Sequence, residues 1–189
     1  QILAGEQFAD TDKALMYYML NYVAEAAEYL NGAADEEIAK LLADNAKWNV
    51  ITVEKTFANA IQNTGLDAIF ASAGVTLCEA PAFTFTLNGK FAGTVTVTYG
   101  DKTRTYVVTA EDEREIVVAG MKAYNFGLNI TVNAEGTIGE EAVATENAQY
   151  NLDTFVKYHV ESEAAESVAC EALLVALYDY VTCAKAYVG

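Results

Sequence analysis

The spacing of apolar and polar positions changes period twice along this chain. From Thr11 to about Gln62 the apolar residues recur at helical intervals: Leu15, Met19, Tyr22, Ala26 and Tyr29 lie three and four apart on one stripe. Thr11 or Asp12 is placed to cap that helix and Gly32 to stop it. A second helix is predicted over 34–45, with Asp35, Glu36 and Glu37 in its first turn, where the helix dipole favours acids. The stretch from Trp48 to Gln62 reads as a short extended piece followed by a helix.

From about Val75 to Val132 the period becomes two. Phe83, Phe85 and Leu87 alternate with Thr84, Thr86 and Asn88, and Asn88-Gly89 reads as a hairpin turn. Val95, Val97 and Tyr99 alternate with Thr94, Thr96 and Thr98, up to a second turn at Gly100-Asp101. Strands near Thr103–Thr109, Glu115–Val118 and Phe126–Val132 complete at least five antiparallel segments, the pattern of a β-sandwich. Helical spacing returns from Asn147, with one helix over Leu152–Val160. A longer one begins near Ser162, with Leu173, Leu177, Tyr180, Ala184 and Tyr187 as its stripe. The expected fold is α+β: an antiparallel β-sandwich-like domain (75–146) between an N-terminal helical segment (1–74) and C-terminal helices (147–189). Those last helices would pack on the sheet or on the N-terminal helices.

The two end helices are related in sequence. Residues 14–30 and 172–188 align without a gap, pairing Ala14 with Ala172, Leu15 with Leu173, Tyr22 with Tyr180, Val23 with Val181, Ala26 with Ala184 and Tyr29 with Tyr187. A repeated helix around a different kind of sequence suggests modular construction.

Composition narrows the partners. The chain has 189 residues, 53% of them apolar, enough for a sizeable core. With 27 acidic against 11 basic residues the net charge is −16, which repels phosphate backbones and anionic lipid heads. Nucleic acid and membrane-surface partners are therefore not expected. The acidic clusters at Asp35–Glu37, Glu111–Glu113 and Glu140-Glu141 read as solvated turns and helix starts. No apolar run approaches the roughly 18 residues of a membrane span. The chain shows no signal peptide and begins with Gln1, which reads as a fragment or a mature chain that has lost its leader.

Several segments together resemble a module of secreted and cell-surface proteins of anaerobic Gram-positive gut bacteria. They are the Tyr/Ala helix Ala14–Leu30, the Phe83–Val132 sheet region with Val117-Val118-Ala119-Gly120-Met121-Lys122-Ala123, then Tyr150-Asn151-Leu152 with Tyr158, and the second Tyr/Ala helix Ala172–Val188. The resemblance implies an extracellular or cell-surface location and a role as one module of a longer polypeptide. It implies no activity and no catalytic residue. The three cysteines depart from its usual composition.

Candidate chemistry is sparse. Cys170 and Cys183 lie thirteen residues apart on one predicted helix, about 19 Å along its axis, too far to bridge. With Cys78 they read as buried free thiols. His159 is the sole histidine, so no site built on several imidazoles is expected. Asn133, Glu135, Glu140 and Glu141 form an oxygen-rich stretch of the kind calcium uses, but without an EF-hand pattern. Twelve tyrosines are many for this length; those on the stripes read as core, whereas Tyr17, Tyr18 and Tyr178 fall off them and are expected to be more exposed. Trp48 reads as a core anchor. The candidate ligand-binding feature is a hydroxyl-rich sheet face built from Thr84, Thr86, Thr94, Thr96, Thr98, Thr103 and Thr105, set against the ordinary preference of Thr for strands.

The reading is a non-enzymatic structural or adhesive module that contacts other modules of its polypeptide or other surface proteins. The alternative is a carbohydrate-binding module using the Thr face and exposed aromatics. No catalytic residue, metal or cofactor is assigned.

Overall fold

The computed structural model describes residues 3–51, 69–77, 81–110, 115–161 and 167–189, the side chains of residues 71, 146 and 161 excepted. Cys78, the Glu111–Glu113 cluster, the second half of the Trp48–Gln62 stretch and the Ser162 cap lie outside the described residues. The fold is α+β, and it divides into a helical unit and a sheet unit.

The sheet unit holds two antiparallel sheets. One has the order β1-β2-β5, from Phe70–Thr76, Ala82–Leu87 and Glu115–Val118. The other has the order β4-β3-β6-β7, from Lys102–Val108, Phe91–Tyr99, Ile130–Ile138 and Glu141–Tyr150. Alternation sorts the side chains: Phe83, Phe85, Leu87, Ile116 and Val118 of the first sheet and Val95, Val97, Tyr99, Ile130 and Val132 of the second are all buried. Tyr150 links the sheets. Its ring meets Phe83 and Phe85 edge-on at 6.0 and 5.6 Å, and its hydroxyl donates to the Ala73 carbonyl at 3.3 Å. That burial pushes the Tyr150 phenol far above its ordinary pKa.

The sheet region runs from Phe70 to Tyr150, wider than the expected 75–146. Two turns explain most of the difference in topology. Gly100-Asp101 does close a two-residue hairpin, with Tyr99 opposite Lys102 and Gly100 at φ +55°. Asn88-Gly89 does not make a hairpin, because β2 and β3 belong to different sheets. Instead the Asn88 side chain accepts from the Lys90 N–H at 3.2 Å and its carbonyl from the Phe91 N–H at 2.9 Å, a turn that carries the chain from one sheet to the other. A further two-residue hairpin at Gly139-Glu140 joins β6 to β7, with Ile138 opposite Glu141 and Gly139 at φ +65°.

The helical unit contains α1 (Asp10–Asn31), α2 (Glu36–Asp44), a 3-10 turn (Ala46–Trp48), α3 (Ala123–Phe126) and α5 (Val168–Val188). Helix α4 (Leu152–Glu161) follows β7, and its first four residues belong to the sheet unit. Helix α1 starts one residue before Thr11, and the Asp12 carboxylate reaches back to accept the Ala9 N–H at 2.9 Å. Gly32 ends it in the left-handed conformation, its N–H on the Glu28 carbonyl at 2.8 Å. Asp35 caps α2 by accepting the N–H groups of Glu37 and Ile38. Helix α5 begins at Val168, and Ser167 caps it by accepting the Cys170 N–H at 3.1 Å.

Helices α1 and α5 pack against each other antiparallel, so the C-terminal helix does meet the N-terminal one. Tyr17 and Tyr18, expected to be exposed, are buried, Tyr18 to 2% exposure. The reason is that α1 is covered on two sides, by α5 and by α2 with the 3-10 turn, whereas one amphipathic stripe accounts for one neighbour. Tyr178 is half-buried. Trp48 packs at the edge of the cluster of Leu3, Tyr17, Tyr18, Ala24 and Leu42, with the ammonium groups of Lys13 and Lys47 5.0 and 4.9 Å from its ring.

Candidate functional site

The threonine face divides between the two sheets. Thr94, Thr96 and Thr98 of β3 and Thr103 and Thr105 of β4 share the outward side of the four-stranded sheet, opposite the buried Val95, Val97 and Tyr99. Thr84 and Thr86 lie on β2 of the other sheet, paired with Gly74 and Ser72. The seven residues therefore do not form one surface. At Gly74 an added Cβ would lie 3.5 Å from the Thr84 hydroxyl and 3.8 Å from the Phe155 ring, so the first turn of α4 covers that strand pair. Asn151 sets this turn, accepting the N–H of Thr154 at 2.8 Å while its amide donates to Asn129 at 3.0 Å.

On the four-stranded sheet the hydroxyls pair across strands. Thr96 faces Thr105 and Thr98 faces Thr103, each with oxygens 3.1 Å apart. Thr94 differs, because Val107 and Glu135 stand opposite it. Around Thr94 and Thr96 the sheet carries an open depression of about 560 Å³, completed by Asn133, Glu135, Ala144 and Thr145. A bulge in β7 borders it. Val132 pairs with Ala148 and Ala134 with Thr145, leaving Asn133 opposite two residues. Asn147 takes a left-handed φ of +51°, and its N–H donates to the Asn133 side chain at 2.7 Å. The depression thus offers hydroxyl, amide and carboxylate groups for hydrogen bonding, and no aromatic ring is among its lining residues.

The sequence reading missed Asn133, Glu135 and Thr145 as members of this surface because, within the 75–146 sandwich region, it placed no strand after Val132. The alternation of Ile130, Val132 and Ala134, followed by Gly139-Glu140, carried the signal. The same strands separate the oxygen-rich stretch: Asn133 and Glu135 lie on β6, Glu140 in the turn and Glu141 at the head of β7. Among the described residues no group of three or more His, Cys, Asp and Glu side chains is placed to hold a metal ion.

In the helical unit the repeated helices meet at their matching residues. The rings of Tyr22 and Tyr180 stack with centroids 6.3 Å apart and planes 18° from parallel. The Tyr187 hydroxyl donates to the Asp12 carboxylate at 2.8 Å, fastening the end of α5 to the start of α1. That bond, with the nearby negative charge, raises the Tyr187 pKa. Beside this seam Phe8, Leu15, Met16, Met19 and Tyr180 line a smaller apolar groove of about 270 Å³, with Asp12 at its margin. Cys170 is buried and Cys183 half-buried, neither of them in a disulfide, and burial raises the Cys183 pKa. His159 sits edge-on to the exposed Tyr158 ring at 5.1 Å.

No described helix is long and apolar enough to cross a membrane. No protein family, curated protein sequence or solved structure matches the chain.

Proposed function

We propose that this protein is a non-enzymatic structural or adhesive module of a secreted or cell-surface bacterial protein, making contact with other modules or with surface partners. The observation that carries the reading is the α1/α5 seam. Helices from the two ends of the sequence stack Tyr22 on Tyr180 and join Asp12 to Tyr187, so the start of α1 and the end of α5 lie together at one end of the helix pair. A unit closed on itself in this way suits a module that works by contact rather than by chemistry. The resemblance of the Tyr/Ala helices to a surface-protein module supports the same location.

A second reading is favoured by the depression over Thr94, Thr96, Asn133 and Glu135. Its hydroxyl and amide lining suits a neutral, hydroxyl-rich ligand such as a saccharide.

Both readings are tested by presenting the folded chain on beads to an array of glycans, peptidoglycan fragments and surface proteins, with mass spectrometry of every spot afterwards. Capture without chemical change supports the module. Loss of glycan capture in a Thr94→Ala/Thr96→Ala variant selects the saccharide reading, and capture of protein spots alone selects the first. Turnover of any arrayed molecule by the pure chain overturns the non-enzymatic reading.

A further inference from the structure

The α1/α5 seam is written twice in the sequence, and its geometry follows from that. The two helices align at a constant offset, six of seventeen positions being identical: Ala14, Leu15, Tyr22, Val23, Ala26 and Tyr29 recur as Ala172, Leu173, Tyr180, Val181, Ala184 and Tyr187. They run antiparallel, because the start of one is bonded to the end of the other. Near the middle of the seam the residue that meets Tyr22 is its own counterpart, Tyr180. Two antiparallel helices of related sequence, with the equivalent Tyr22 and Tyr180 touching near the centre, approach the local two-fold arrangement of an isologous dimer interface.

We propose that the same seam forms between two copies of this chain, α1 of one pairing with α5 of the other, to give a closed dimer by helix exchange. The proposal rests on the structural-module reading above and names its partner: a second copy. Each exchanged seam contains the same contacts as the internal one, Tyr22 on Tyr180 and Tyr187 on Asp12, so exchange loses none of them. The sheet unit keeps its own buried core of Phe83, Phe85, Val95, Val97 and Ile130 in either form. What separates the two forms is concentration. A tethered helix pair sees its partner at an effective concentration of order 1 mM, so the internal seam dominates in dilute solution. Copies crowded side by side reach the level at which exchange competes.

The test uses the full chain carrying the photoreactive benzophenone amino acid in place of Tyr187, a Tyr-like side chain aimed at the start of α1. Isotopically heavy and light chains are mixed equally and refolded together, at about 1 µM and at about 1 mM, then irradiated and mapped by mass spectrometry. Cross-links from α5 to α1 should be same-isotope at the lower concentration. At the higher one a dimer fraction should appear in which about half of these cross-links join heavy to light, the share expected for random closed dimers. Placing the same group at Tyr180 provides a second variant should the Tyr187 replacement fail to fold. Same-isotope cross-links alone at both concentrations overturn the exchange and leave the seam standing. Absence of any α5-to-α1 cross-link in folded protein removes the seam, and with it the structural-module reading.

Discussion

Tyr18 shows how a single oxygen organises the helical unit. Its hydroxyl donates to the Asn49 side chain at 2.9 Å and accepts the Ile51 N–H at 2.6 Å, tying the segment after the 3-10 turn to α1. Burial dominates the rise in its pKa. Tyr18→Phe keeps the ring and strands both partners, so urea denaturation should show a loss of about 1–3 kcal/mol with an unchanged slope. Glu25, on the same helix, is held above the ordinary glutamate range by desolvation first and by the Glu28 charge second. A carboxyl with a raised folded-state pKa binds its proton more readily in the folded chain. Stability therefore improves as pH falls through that raised value, and the charged form costs stability at neutral pH. Glu25→Gln should raise the melting temperature at pH 7, and the gain should vanish near pH 4, where the wild-type carboxyl is neutral. An equal gain at both values would show that charge is not the cause.

At the scale of elements, the centre of the four-stranded sheet depends on two facing glycines. Gly93 on β3 pairs with Gly136 on β6, and a Cβ on either would run into the opposing backbone, the Glu135 carbonyl in one case and the Ala92 carbonyl in the other. Gly93→Ala should cost about 1–3 kcal/mol or more by thermal denaturation, because backbone must move. The edge of the same sheet is guarded differently. On β4 the register puts Lys102 and Arg104 on the core-facing side of the strand, opposite Tyr99 and Val97, where both stay exposed. Inward-pointing cations on an edge strand block pairing with another chain. Replacing both with Thr should produce large assemblies in light scattering, while the wild type stays free of them. The alternation that exposes these devices was readable from Phe83 through Val132, as were the Gly100-Asp101 hairpin and the Gly32 stop. The destination of Asn88-Gly89 was not, since a two-residue turn looks the same whether the next strand pairs with the last or crosses to a second sheet. Tyr17 and Tyr18 were misplaced for a related reason: periodicity reports one buried face, and α1 has two. The threonine surface failed at the same level, because alternation places Thr84 and Thr94 on outward sides without saying of which sheet.

For the molecule as a whole, the −16 charge and the scattered acids leave no large cationic field, so association relies on apolar seams and hydrogen bonds. The Asp12–Tyr187 contact has a mechanical meaning. If tension is applied through Asp10 and Val188, the pull arrives at one end of an antiparallel pair and opens it like a zipper, loading one turn at a time. Contacts broken in succession resist far less than contacts sheared together. The helical unit would thus act as a fuse, yielding first and releasing length before the described strands bear load. Pulling instead through Asn31 of α1 and Val188 of α5 would shear the seam along its length, and the difference in rupture force between the two attachments measures how far this chain is built to give way.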